Sequence, residues 1–197
     1  MHLYNSKMMR LRMYSRSLQR LSSGPVALLT AAIFVVFMVV VLPAQAAESA
    51  AISGVDATPD TMIFYTAGEL YDLAEAMGET GRSHYIRSRF TFDVIWPVVY
   101  VAFFATTIGW LAQCGFAPAS RWQMANLLPF VAVIFDALEN LSASLALARY
   151  PAPTPIVAEL AGAFTLLKWA SVALTSLTLI VVLIAAAVQR MIDQRRQ

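Results

Sequence analysis

Asp136, Glu139 and Asn140 lie inside an apolar run, residues 125–147, where an ionised carboxylate is costly. On insertion scales such a group near a bilayer centre costs about 2.5–3.5 kcal/mol, so it faces a bundle interior, a polar cavity or a partner. Their i+3 and i+4 spacing, continued by Ser144, gathers them on one helix face. Two further runs carry matching groups. Asp93, Tyr100 and Thr107 recur every seven residues in a segment that also holds Pro97. Lys168 stands in a drifting polar band with Thr165, Ser171, Thr175 and Thr178. Carboxylates facing a lysine between helices can do three things. They can hold the helices in register, exchange a proton, or act as acid and base on a substrate.

Depth counting draws these groups together. At a rise of about 1.5 Å per residue, Asp136 lies about 21 Å above the interface marked by Arg121 and Trp122. The same arithmetic puts Lys168 about 33 Å from Arg190. Asp93, Asp136, Glu139, Asn140 and Lys168 therefore form an expected intramembrane polar cluster in the outer half of the bilayer, with Arg87 and Arg89 at the outer interface. Simpler roles compete for two of them. Asp93 fits the first turn of a helix capped by Thr91, where the dipole favours a carboxylate. Lys168, beside Trp169, fits a lysine that snorkels to the interface. A carboxylate that keeps its proton at neutral pH in a dry setting is what proton exchange requires.

Other chemistry finds little support. The chain has no GxSxG elbow, no HExxH pair and no clustered His/Cys set, and its histidines are His2 and His84 alone. No catalytic residue, metal site or cofactor is assigned, and no nucleotide, flavin or haem signature is present. The acidic stripe Glu69, Asp72, Glu75 and Glu79 reads as a solvated face, since nothing there resembles a calcium loop. Cys114 is the single cysteine, which excludes an internal disulfide framework.

The elements that would position the cluster follow from composition. Apolar residues make up 59% of the chain and charged ones 13%, half the share of an ordinary soluble domain. They are blocked into runs at 26–42, 92–112, 125–147 and 170–188, each near the roughly 20 residues a spanning helix needs. The expected fold is all-α: a helical integral membrane protein with a three-span bundle over residues 91–197. Ahead of it, residues 1–46 read as a signal peptide or signal anchor, giving four apolar helices if uncleaved. Lys7, Arg10, Arg12, Arg16 and Arg20 precede the first run without an acid, and Ala44 and Ala46 supply an A-x-A site. Residues 47–90 form an extracytoplasmic segment: a small-residue linker over 47–57, a helix start at Thr58-Pro59-Asp60, and a capping box at Thr66–Glu69. A short amphipathic helix carries Leu70, Leu73, Ala74 and Met77 inward and stops at Gly78 and Gly81.

The basic N-terminus and Arg190, Arg195 and Arg196 place both ends inside. The expected site is a bacterial inner (plasma) membrane, with the mitochondrial inner membrane as the alternative. Expected partners are membrane lipid and other membrane-protein subunits or further copies of the chain; nucleic acid is not expected. The leading functional expectation is a structural, assembly or interaction subunit. The alternatives are a small proton- or cation-linked carrier using Asp136 and Glu139, and a membrane enzyme acting on a lipid or isoprenoid. No inverted repeat or filter sequence supports the carrier.

Overall fold

The computed structural model describes residues 2–196. Among them there is no strand, and seven helices follow one another. They are α1 (His2–Leu21), α2 (Gly24–Val36), α3 (Leu42–Ser53), α4 (Ala67–Arg89), α5 (Phe92–Gly115), α6 (Pro129–Arg149) and α7 (Pro155–Arg195). A π-type turn, Phe37–Val41, joins α2 and α3 into one helix, Gly24–Ser53. Among the described residues, four helical stretches are long and apolar enough to cross a membrane: Gly24–Ser53, Ala67–Gly115, Arg121–Arg149 and Pro155–Arg195. The protein is an all-α helical membrane bundle.

Several boundaries differ from the sequence reading, each for a local reason. Residues 47–53 are helical rather than a linker, because Ala-rich sequence continues the preceding helix until Gly54 closes it in the left-handed region at φ 70°. Gly78 and Gly81 do not end α4. Gly78 takes φ 61° and ψ −175°, which kinks the helix, and helical backbone then resumes to Arg89. Gly81 packs directly on Ser53, where a Cβ would lie 3.0 Å from the Ser53 Cα. Pro129 opens α6 at its first position, where its missing N–H costs nothing. Residues 2–21, expected only as a charged leader, form a helix.

Packing divides the chain into two compact units. The first comprises residues 1–35, 99–130 and 172–197. Here α1 lies on a 3-10 turn, Arg121–Leu127, through buried polar contacts. The Thr30 and Thr106 hydroxyls sit 2.9 Å apart, and Phe34 stacks on Phe103. A Cβ on Gly115 would come within 2.7 Å of the Ala186 backbone nitrogen, so the helices touch there at backbone distance.

The second unit comprises residues 36–98 and 131–171. Its apolar core joins Tyr65, Leu70, Ala74, Met77 and Tyr85 to Ala143, Ala146 and Leu147 of α6 and to Ala158 and Ala161 of α7. The inward stripe of α4 thus meets alanines, whose small side chains let the helices approach closely. The capping box forms at Thr66, whose backbone N–H donates to the Glu69 carboxylate at 2.8 Å. Tyr71 and Trp169 pin the connections. The Tyr71 oxygen accepts from the Thr154 N–H at 2.6 Å, and the Trp169 indole N–H donates to the Met62 carbonyl at 2.8 Å.

Candidate functional site: a six-charge cluster

Within the second unit, five stretches of chain bring charged side chains together. The 3-10 turn Pro59–Thr61 presents Asp60. Thr58 and Thr61 brace it reciprocally, the Thr61 hydroxyl donating to the Thr58 carbonyl at 2.8 Å. The end of α4 supplies Arg89, the first turn of α5 supplies Asp93, the middle of α6 supplies Asp136 and Glu139, and α7 supplies Lys168. Each cation bridges two carboxylates. Arg89 pairs with Asp60 at 2.9 Å and with Asp93 one turn along. Lys168 pairs with Glu139 and, at 3.5 Å, with Asp136.

The cluster is partly closed, with Asp60, Asp93 and Asp136 keeping 24%, 13% and 16% of their side-chain surface exposed. Glu139 is 0% exposed and the Lys168 side chain 9%. Arg89 lies with its guanidinium 4.6 Å from the Tyr85 ring centre, so the aromatic face serves the cation where water cannot. Thr165 donates its hydroxyl to the Ala161 carbonyl at 3.0 Å and lies beside both Glu139 and Tyr65. Tyr65 wedges against α7 at Gly162, where a Cβ would collide with the Tyr65 carbonyl oxygen. Glycine is therefore required for this loop to seat.

Electrostatics outside the spans follow from this geometry. Burial alone would push the Asp60 carboxyl upward, but the Arg89 guanidinium and the Thr58 hydroxyl outweigh it and hold the group below the usual carboxylate range. Burial also drives the Tyr65 phenol well above its ordinary value, only partly offset by Thr165. Tyr65 is therefore a neutral hydroxyl at any physiological pH. The cluster as a whole sets four carboxylates against two cations, a formal charge of 2 − 4 = −2.

Of the residues singled out by sequence, Asp93, Asp136, Glu139, Lys168 and Arg89 come together. Asn140 and Ser144 lie buried on the same side of α6, with the Asn140 Oδ1 and Ser144 Oγ making no hydrogen bond. Arg87 does not join them. One residue pair earlier on the helix than Arg89, it points to a groove lined by Ile52, Glu79, Thr80, Ser83 and His84. Asp93 lies in the first turn of α5, as expected, and is also an ion-pair partner of Arg89, while the Thr91 hydroxyl, expected as the cap, donates to the Arg87 carbonyl at 2.8 Å. Lys168 does not snorkel; the two acids of α6 lie within its reach. Sequence places Asp60 only in a helix start and does not assign Asp60, Tyr65 or Tyr85 to the cluster. The only hint at Asp60 was Arg89 itself, a cation placed where an outer-face arginine lacked an assigned partner.

Chemically, the arrangement can tie helices and offers two more carboxyl groups than cations. It offers no nucleophile with an adjacent base, and His84 lies in the groove with Arg87. No group of three or more His, Cys, Asp or Glu side chains among the described residues is placed to hold a metal ion. No family model matches the chain, and comparison with curated proteins and with solved structures finds no match.

Proposed function

We propose that this chain is a non-catalytic, multi-span membrane protein that acts as a structural, assembly or interaction subunit, with the six-charge cluster as its internal lock. The observation that carries this reading is the bridging. Arg89 ties the loop carboxylate Asp60 to Asp93 of α5, and Lys168 of α7 ties the two carboxylates of α6, with both cations and Glu139 buried. A substrate site would need room and an accessible reacting group; a lock needs mutual satisfaction. In apolar surroundings, leaving any one of these charges alone is far more costly than in water, so the pairs fix the Pro59–Thr61 turn on the α4–α5 junction and α6 on α7.

In this proposal the basic N-terminus and the C-terminal arginines face the cytoplasm, the cluster lies toward the outer leaflet, and the membrane is a bacterial inner membrane. The partners are membrane lipid and other subunits or further copies. The test replaces Asp136 by Asn and Glu139 by Gln together. A lock leaves the protein inserted and its complexes recoverable by affinity purification, but lowers its thermal stability in detergent. Unchanged stability with a lost solute-transport or turnover activity would overturn the proposal.

One observation favours a second reading. The cluster holds four carboxyl groups against two cations, and such a surplus of carboxyl groups is what a proton- or cation-linked carrier uses. Under that reading the same double variant abolishes pH-gradient-driven uptake in proteoliposomes while its unfolding temperature is unaltered.

A further inference from the structure

We propose that helix α1 remains part of the mature protein as a membrane-surface element, and that its outward face binds anionic phospholipid headgroups. This goes beyond the lock and does not depend on it. A removable leader leaves no buried partner behind, yet α1 is stitched into the first unit. Ser15 is 2% exposed and donates its hydroxyl to the Gln123 carbonyl and to the Asn126 Oδ1, both at 2.8 Å. Asn126, 0% exposed, returns a bond from its amide nitrogen to the Ser15 carbonyl at 3.1 Å. Gln19 adds two bonds to Gln123 at 2.7 Å. Cutting the chain near Ala46 would strand these buried amides in an apolar surrounding.

Packing agrees with the hydrogen bonds. Gly109 lets α5 touch the residue after α1; a Cβ there would lie 2.6 Å from the Ser22 hydroxyl. Gly24 does the same against the Trp110 ring, at 3.2 Å. These are contacts between one spanning helix and the turn that leads from α1 into another.

The outward side of α1 has a composition that names its partner. With Ser15, Gln19 and Ser22 turned inward, the exposed surface holds Arg10, Arg12, Arg16 and Arg20 beside Met9, Met13, Tyr14 and Leu21. No acid occurs anywhere in α1. The helix ends at Leu21 and the apolar span starts at Gly24, so chain connectivity holds this surface at the boundary of the hydrocarbon. Arginines mixed with exposed methionine and tyrosine at that level match phosphate headgroups above and acyl carbons below.

Two measurements decide the matter. The intact mass of the full chain, purified from membranes through a C-terminal tag, is expected to retain Ser15; a mature chain beginning near residue 47 would overturn the proposal. The same protein is then placed in nanodiscs of phosphatidylcholine alone or with about 30% phosphatidylglycerol, a fraction chosen to approach natural anionic membranes. Amide exchange across residues 8–21 is expected to slow at least threefold in the anionic discs. That difference is expected to vanish when Arg10, Arg12, Arg16 and Arg20 are all changed to Gln. Equal exchange of the natural chain in both bilayers refutes lipid binding, a comparison that stands even if the quadruple variant fails to insert.

Discussion

Replacing Lys168 by Met isolates the central interaction, since Met keeps most of the aliphatic stem and its packing while removing the charge. With Nζ 3.5 Å from Asp136, one pair alone is worth about 5 kcal/mol of gross attraction at an effective dielectric near 20. The closer contact to Glu139, which is wholly withdrawn from solvent, adds to it. Desolvation of the lysine offsets much of that gain in the natural protein, but it offsets nothing once two carboxylates are left facing each other. Removing one partner of a buried pair typically costs about 3–5 kcal/mol. For a chain of this size the midpoint of thermal unfolding then falls by roughly 6–20 °C. The assay is helicity against temperature in a mild detergent, with Lys168→Arg as a charge-keeping comparison. The triple change Lys168→Met, Asp136→Asn and Glu139→Gln is expected to recover most of the loss, because no unpaired charge remains. If Lys168→Met unfolds within 2 °C of the natural chain, or if the triple variant is as damaged as the single one, the cluster does not hold the helices and the reasoning fails.

Further outcomes follow from other parts of the structure. Because Asp60 is held below the ordinary carboxyl value in the folded state, the unfolded chain binds more protons between the two values, and stability rises with pH there. Its contribution is fully present above about pH 4 and is lost as acid carries the group through its folded value. Comparing unfolding of the natural chain and Asp60→Asn from pH 3 to pH 7 should show the gap between them narrowing on the acid side. Gly162→Ala drives a methyl into the Tyr65 carbonyl and is expected to cost about 1–3 kcal/mol, read by the same melting assay. Gly78→Ala places an L side chain at φ 61° and is expected to cost about 1–2 kcal/mol, with the loss confined to α4 in amide exchange.

Much of the polar cluster could be read from spacing because a helix converts sequence separation into direction. Asp136 and Glu139 lie three apart and share a face whatever surrounds them, and both come within reach of Lys168. Competing local explanations blurred the rest. Thr91 has the chemistry of a cap, yet its hydroxyl serves Arg87, and only the trajectory of the chain between α4 and α5 decides that choice. Arg87 and Arg89 look equivalent in sequence. A two-residue step turns a helical side chain by about 200°, so one meets Asp60 and the other the groove beside His84. Asp60 stayed hidden because it reaches Arg89 from a loop, where no periodicity links distant positions.

Sequence alone determined the class of solvent: blocks of some twenty apolar residues, almost empty of charge, demand a membrane and therefore helices that satisfy their own backbones. It also determined which side chains would be expensive there. Tertiary structure decided which charges compensate which. Pairing depends on positions fixed by chain segments far apart in sequence, such as Lys168 against Glu139 and Arg89 against Asp60, and by close approaches at glycine and alanine. Hydropathy is a sum over local residues, whereas Coulomb attraction depends on distance in space, and folding alone sets that distance.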